Sequence, residues 1–514
     1  MQVSFSLGQL PDPDKMLSFI CVVFLLSGHV CGISLRQYLN VRSRVIEQEL
    51  EKQVGGNLNL TEEEKIVNDI LMRWKNVELD ESFKNPSFFN FSKHYFSYRD
   101  QIKNSKVYQI IRRMPKGAAL HIHSTLMLST DKLMALTYEK HLYACLADGE
   151  LDLQFSRLPP QRPCSFKWIL LSELRERSNN VTRFDSELRK YFTMVTNDER
   201  FYDKDINYTW KKFNKVCKTI QSLISYRPVR EKFFLEALNE FYSDNIMYIE
   251  IRSGLSRLYE LDGRVHNQTY WPYLMQRLAN QFKKEHPDFI GIKLILTRSR
   301  LRSVNETLEA AREIKEYLPD IFAGFDLVGQ EDIGKPLSDY VPTLLEAKKD
   351  MKFFFHGGET NWFGTSTDEN LVDAILLGAK RIGHGYALIK HPDLMDAVKK
   401  KDIAVEVNVI SNTVLSLVRD VRNHPLATYL ATDMPIVISS DDPGMWDSDP
   451  LSHDFYVMFV GVASKKADLR TLKQLVINSI RYSELDNRGK RSMFKIFNKK
   501  WHCFIRSLIT LHKS

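Results

Sequence analysis

At 514 residues the chain exceeds the size at which one hydrophobic core stops growing, so one large domain with additions, or two domains, is expected. An apolar content of 43% beside 26% charged residues is that of a globular protein and excludes collagen-like, solenoid and extensively disordered chains. The formal charge is +8, and +9 without residues 1–32, which hold one Lys and two Asp. Basic residues are scattered, with short clusters at Arg227–Lys232 and Lys399–Lys401 and no nucleic-acid motif. A polyanion such as extracellular glycosaminoglycan is the charged partner this balance suits.

The first element is the run LSFICVVFLL, from Leu17 to Leu26, preceded by Lys15 and followed by the small residues of SGHVCG. This is the pattern of a secretory signal cleaved near Gly32, with Met16 as an alternative start. Ten apolar residues are too few to span a bilayer, which takes about 20, and no other stretch is apolar enough. A secreted chain keeps Cys145, Cys164, Cys217 and Cys503. Cys145 and Cys164 bracket a loop-like stretch and are expected to pair, whereas Cys217 and Cys503, in helix-like contexts, are expected as buried thiols. Six N-x-S/T sequons, at Asn59, Asn90, Asn180, Asn207, Asn267 and Asn305, agree with secretion.

Residues 33–112 read as helical, with a capping box predicted at Thr61 and Glu64. From 117 the period changes. Short apolar, β-branched runs occur at 117–126, 245–254, 289–297, 321–329, 351–359, 380–388, 403–411 and 434–442. Helix-like stretches such as DENLVDAILLGA separate the later ones, so the spacing predicts parallel βαβ units and a (β/α)8 barrel over 113–514. The first connection, 127–244, is too long for a crossover and must hold an inserted subdomain, about 127–190, that includes the two pairing cysteines.

His121 and His123 alternate along the first strand and so share one face. His356 and Glu359 end the fifth strand, His384 ends the sixth, and Asp441 and Asp442 end the eighth. Each motif alone fits a turn or a helix cap. In a barrel, however, the carboxyl ends of the strands converge on one face, and these groups together supply the ligands that a lone H-x-H lacks. A metal site is expected there.

The motifs H-I-H, H-G-G-E-T, R-I-G-H-G and S-S-D-D-P, in this order, resemble those of the adenosine deaminases of the amidohydrolase superfamily. The flanking RMPKGAALHIH, EFYSDNIMYIEIR, AGFDLVGQED and VRNHPLA are similar to the secreted adenosine deaminase-related growth factors, a likeness running from about residue 35 to the carboxyl end. The resemblance implies one Zn2+ held by His121, His123, His356 and Asp441, with water in the remaining position. It implies His384 as the base for that water, with Asp441 sharing the proton, and Glu359 as the acid for ring nitrogen N1. Asp442 would face N7 and the backbone N–H of Gly329 would face N3. The implied reaction converts adenosine, and 2'-deoxyadenosine, to inosine or deoxyinosine and ammonia, with growth-factor-like signalling through adenosine depletion. The family also implies a homodimer formed through residues 33–112; a cell-surface receptor is, beside glycosaminoglycan, the other candidate partner.

Trp210, in the insert, is either a wall of the substrate pocket or a core tryptophan. Ser124 stands where the family has an Asp that contacts the sugar, so weaker nucleoside binding is expected; Val409 stands where a Pro is common. The absence of C-x-x-C and H-E-x-x-H excludes the cytidine-deaminase and metalloprotease types of zinc site. The alternative is a catalytically weak signalling or polyanion-binding protein on the same barrel. Glu359, which ligates nothing in this scheme, favours the enzyme.

Overall fold

The computed structural model describes residues 33–85, 90–147 and 149–513. The expected signal, residues 1–32, lies outside the described residues. The chain divides into two compact units, 1–52 and 53–514. In the first, helix Leu35–Glu51 is opened by a capping box between Ser34 and Gln37, and none of its residues is buried.

In the second unit, Thr61 and Glu64 form the predicted capping box: Thr61 Oγ1 accepts from Glu64 N at 3.3 Å and Glu64 Oε2 accepts from Thr61 N at 2.9 Å. They open helix Glu62–Lys84, which packs on helices Leu469–Arg481 and Asn487–Lys513. Glu64 Oε1 accepts from Lys473 Nζ at 2.6 Å and from Trp501 Nε1 at 2.7 Å. Lys75 Nζ, fully buried, donates to the carbonyls of Ser464 and Ala467, both at 2.8 Å. Through these contacts residues 53–112 belong to the same compact unit as the barrel.

In chain order the strands are β1 Gly117–His123, β2 Leu142–Ala147, β3 Glu150–Phe155, β4 Ile169–Leu170, β5 Ile246–Ser253, β6 Gly291–Ser299, β7 Phe322–Val328, β8 His356–Gly357, β9 Arg381–His384, β10 Ala404–Val407 and β11 Ile436–Ile438. Two parallel four-stranded sheets, β1-β5-β6-β7 and β11-β10-β9-β8, are joined at both seams by parallel bridges, Ile122 to Asp441 and Phe325 to Phe353. The eight strands therefore close into the predicted (β/α)8 barrel. The fifth run, expected at 351–359, narrows to β8 and the bridge at Phe353, and Gly358, at φ +73°, turns the chain out of the sheet.

Between β1 and β5 lies the insert. β2, β3 and β4 form an antiparallel sheet in the order β3-β2-β4, and Cys145 on β2 is bonded to Cys164. Helices Ile206–Leu223 and Arg227–Ser243 complete the connection. Cys217 is half-buried, whereas Cys503 is exposed, contrary to expectation, because its helix turns Phe504 and Ile505 inward instead.

Candidate active site

His121 and His123 stand on β1, His356 on β8, and Asp441 beyond β11; one ligand-type atom from each lies within 4.8 Å of the others. Asp441 Oδ1 is 3.1 Å from His123 Nε2 and 3.3 Å from His121 Nε2. Asp441 sits at φ +61°, a strained setting for a non-glycine residue, held by His121 O accepting from its N–H and by its own carbonyl accepting from His123 N, both at 3.1 Å. His121 Nε2 and Asp441 Oδ1 are buried and make no hydrogen bond. Each such orphaned atom costs about 1–3 kcal/mol unless something satisfies it. Three imidazoles and a carboxylate with free inward atoms are the donor set of a transition-metal site, so the residues present fit a metal ion.

The other ring nitrogens explain why those atoms are free. His121 Nδ1 is 2.8 Å from Glu406 Oε2, and His356 Nδ1 is 2.7 Å from Asp326 Oδ2. Each carboxylate fixes the tautomer that leaves Nε2 lone pairs for a metal. Arg252 ties the two together, donating to Asp326 at 2.8 Å and to Glu406 at 2.6 Å. Arg381 donates to Glu406 at 2.5 Å and to Glu250 at 2.6 Å. All five charged residues of this network are fully buried inside the barrel. Burial would raise the Asp326 and Glu406 carboxyls, but His356 and Arg252 hold Asp326, and Arg252 and Arg381 hold Glu406, well below the usual range.

A cavity of about 540 Å3 opens over the metal-ligand set. Its lining includes His123, His356, Glu359, His384, Asp441, Asp442, Gly329 and Trp210. Burial pushes His384 well below the ordinary histidine value, leaving it neutral; its Nδ1 is 3.4 Å from Glu359 Oε1 and its Nε2 is 3.8 Å from Asp441 Oδ2. Glu359 is raised well above the carboxylate range, first by burial and then by the charges of Asp441 and Glu331. Asp442 is raised in the same way, by burial and then by Asp441 and Glu359. Asp441 goes the other way: burial opposes ionisation, but the nearby imidazoles of His121 and His123 outweigh it. One cavity thus holds two carboxyls pushed toward the protonated form, one carboxyl pushed toward the ionised form and an imidazole pushed toward the neutral form, the separation of roles that acid–base chemistry requires. Gly329, at φ +103°, presents its backbone to the cavity, and a Cβ built there meets no atom within 4 Å.

Trp210 lines this cavity, on helix Ile206–Leu223 of the insert. Ser124 does not reach it: the side chain is buried and its hydroxyl donates to Ser253 Oγ at 2.9 Å, which also accepts from Trp271 Nε1 at 3.1 Å. Thr125 and Gln221 line the cavity instead, with Thr125 Oγ1 donating to Gln221 Oε1 at 3.4 Å. Sequence reasoning missed these two and the buried network. The network had a signal, namely charged residues inside the apolar runs IEIR, GFDL and VEV.

Barrel and site together define a metal-binding hydrolase of the α/β-barrel class. The adenosine deaminase family model matches residues 187–500 and the adenosine/AMP deaminase N-terminal model matches 17–111. Human adenosine deaminase 2 is 41% identical over 511 residues, 97% of this chain and 99% of its own, and an adenosine deaminase of Phlebotomus duboscqi is 42% identical over 482 residues, 92% of each. The N6-methyl-AMP deaminase from Arabidopsis thaliana shares the fold, with a TM-score of 0.53 and 17% identity over 76% of this chain and 98% of that one. The chain belongs to the adenosine deaminase family.

Proposed function

We propose that the chain is a secreted, zinc-dependent adenosine deaminase that hydrolyses adenosine and 2'-deoxyadenosine to inosine, or deoxyinosine, and ammonia. Four ligand-type side chains converge at the floor of one cavity whose walls carry Glu359 and Asp442, two carboxyls raised well above the usual range by burial and neighbouring carboxylates, and this carries the reading. His121, His123, His356 and Asp441 would hold the ion, which when bound lowers the pKa of water from about 15.7 toward 7. His384, neutral and buried, accepts the proton of the attacking water. Glu359 donates its proton to N1 of the adenine ring, which gives the electrons displaced at C6 somewhere to go. Asp442 donates to N7, and the Gly329 N–H donates to N3. A C6–O bond forms, the C6–N bond breaks, and the amino group leaves as ammonia after taking up a proton.

Secretion is supported by the apolar run at Leu17–Leu26, the sequons and the Cys145–Cys164 bond. Among the described residues no helix is long and apolar enough to cross a membrane. Residues 33–112 are assigned to dimerisation and 113–514 to catalysis, with 127–190 as the insert. A glycosaminoglycan or a cell-surface receptor is the assigned further partner, on the net basic charge. The test is ammonia release from adenosine by the purified chain, with zinc measured on the same sample. Activity should vanish on chelation and return with zinc. A zinc-loaded chain that releases no ammonia would refute the reading.

A further inference from the structure

The turn that carries Glu359 is gripped from a neighbouring loop. Beyond β7, the buried side chain of Glu331 accepts from the backbone N–H of Glu359 at 3.1 Å through Oε1 and from that of Gly358 at 3.2 Å through Oε2. Oε2 also accepts from Asn370 Nδ2 at 2.7 Å, and Arg300 Nη2 lies 3.8 Å from Oε1 while donating to the carbonyl of His356. Next to Glu331, Asp332 accepts from Thr360 Oγ1 at 2.6 Å. His356, Gly358, Glu359 and Thr360 are thus held by groups from the loops after β6 and β7. One carboxylate bonded to two adjacent peptide N–H groups fixes the plane of the turn as well as its place. The turn has little slack of its own, because Gly358 is at φ +73° and a Cβ there would meet Leu371 at 2.8 Å.

We propose that Glu331 is a positioning residue for Glu359, setting the backbone from which the acid reaches the substrate ring; this rests on the deaminase reading above. Glu331 touches neither cavity nor ligand set, so its effect falls on the chemical step and leaves substrate binding and metal uptake alone. Glutamine at 331 keeps one acceptor, so one of the two peptide N–H groups would face an amide NH2.

The test compares the full-length, metal-loaded chain with Glu331→Gln and with Glu331→Asp, which keeps the charge but loses reach. It measures kcat and KM for adenosine, the inhibition constant of inosine, metal content, and amide hydrogen exchange at Gly358 and Glu359. A displacement of order 1 Å at an acid costs about 100-fold. Both variants should therefore lose about 30- to 100-fold in kcat, with KM, inosine inhibition and metal content close to wild type and faster exchange at the two amides. A folded, metal-loaded Gln variant with wild-type kcat would overturn the proposal. So would unchanged exchange at both amides, or a loss that follows metal content or unfolded fraction. A wild-type chain inactive on adenosine would overturn the deaminase reading and this role with it. An active wild type with equally active variants would overturn this role alone.

Discussion

Glu359, Asp441 and Asp442 line one cavity and are all buried, yet only Asp441 is held below the usual carboxylate range, because His121 and His123 offset its desolvation whereas burial and neighbouring carboxylates raise the other two. In the proposed reaction the ring acid is one of the other two, and Glu359, beside His384, is the one assigned. Glu359→Gln should fold and bind metal normally while kcat falls at least about 100-fold, within the range for a lost general acid. Ammonia release and metal analysis on one preparation check this, and comparable activity would move the role elsewhere. Thr125 and Gln221 line the cavity and Ser124 does not, so these two are proposed to take the sugar-side role expected of Ser124. Gln221→Ala should raise KM for adenosine about 2- to 10-fold, the worth of one neutral hydrogen bond, with kcat little changed. Ser124→Ala should leave KM unmoved; an equal rise in both variants would restore the expected contact between residue 124 and the sugar. The metal-side residues were legible because strand ends converge in a barrel whatever the loops do. Gln221 was not, because a helix of the insert brings it to the cavity and nothing in its local sequence points there.

At the scale of elements, the capping box at Thr61 could be read from four residues, since its bonds are local. The partners of Glu64 could not, because Lys473 and Trp501 lie more than 400 positions away. Those partners decide the pH behaviour of helix Glu62–Lys84. Burial alone would raise the Glu64 carboxyl; bonds from Lys473, the Thr61 N–H and Trp501 lower it below the ordinary glutamate value of 4.5. A depressed folded pKa contributes stability that is present above 4.5 and is lost as pH falls through the lower folded value. Glu64→Gln should therefore be less stable than wild type at pH 7, by about 2–4 kcal/mol for a broken buried pair, and the gap should close as pH drops below about 4. Denaturant unfolding at pH 7 and pH 3.5 measures both. A gap that stays constant over this interval would assign the loss to packing. The barrel strands teach the same lesson. β5, β7 and β10 were legible as strands from apolar content, while the pairing of Arg252 with Asp326 and Glu406 needed the closed barrel.

For the whole molecule, alternation of strands and helices was enough to give the barrel, because parallel neighbours require crossovers and eight of them close. Two helices of the N-terminal region, Leu35–Glu51 and Glu62–Lys84, fall on either side of residue 52, where the chain divides into two compact units. Residues 53–112 are tied to the barrel by buried side chains such as Lys75 and Glu64. Helix Leu35–Glu51 has no buried residue, and Leu35, Tyr38, Leu39 and Val45 on it are exposed. An isolated helix of that length is marginal in water, so its persistence calls for a covering surface. The proposed homodimer supplies one: a symmetric pair of chains could bury both copies of this helix at once. The full-length chain should then scatter light at the mass of two chains. A chain beginning at residue 53 should scatter at the mass of one, while keeping its metal and its activity per site, because the site is built from residues 121–442. A full-length chain that scatters as a single copy would reject the dimer. A truncated chain that still pairs would move the interface to residues 53–112 or onto the barrel.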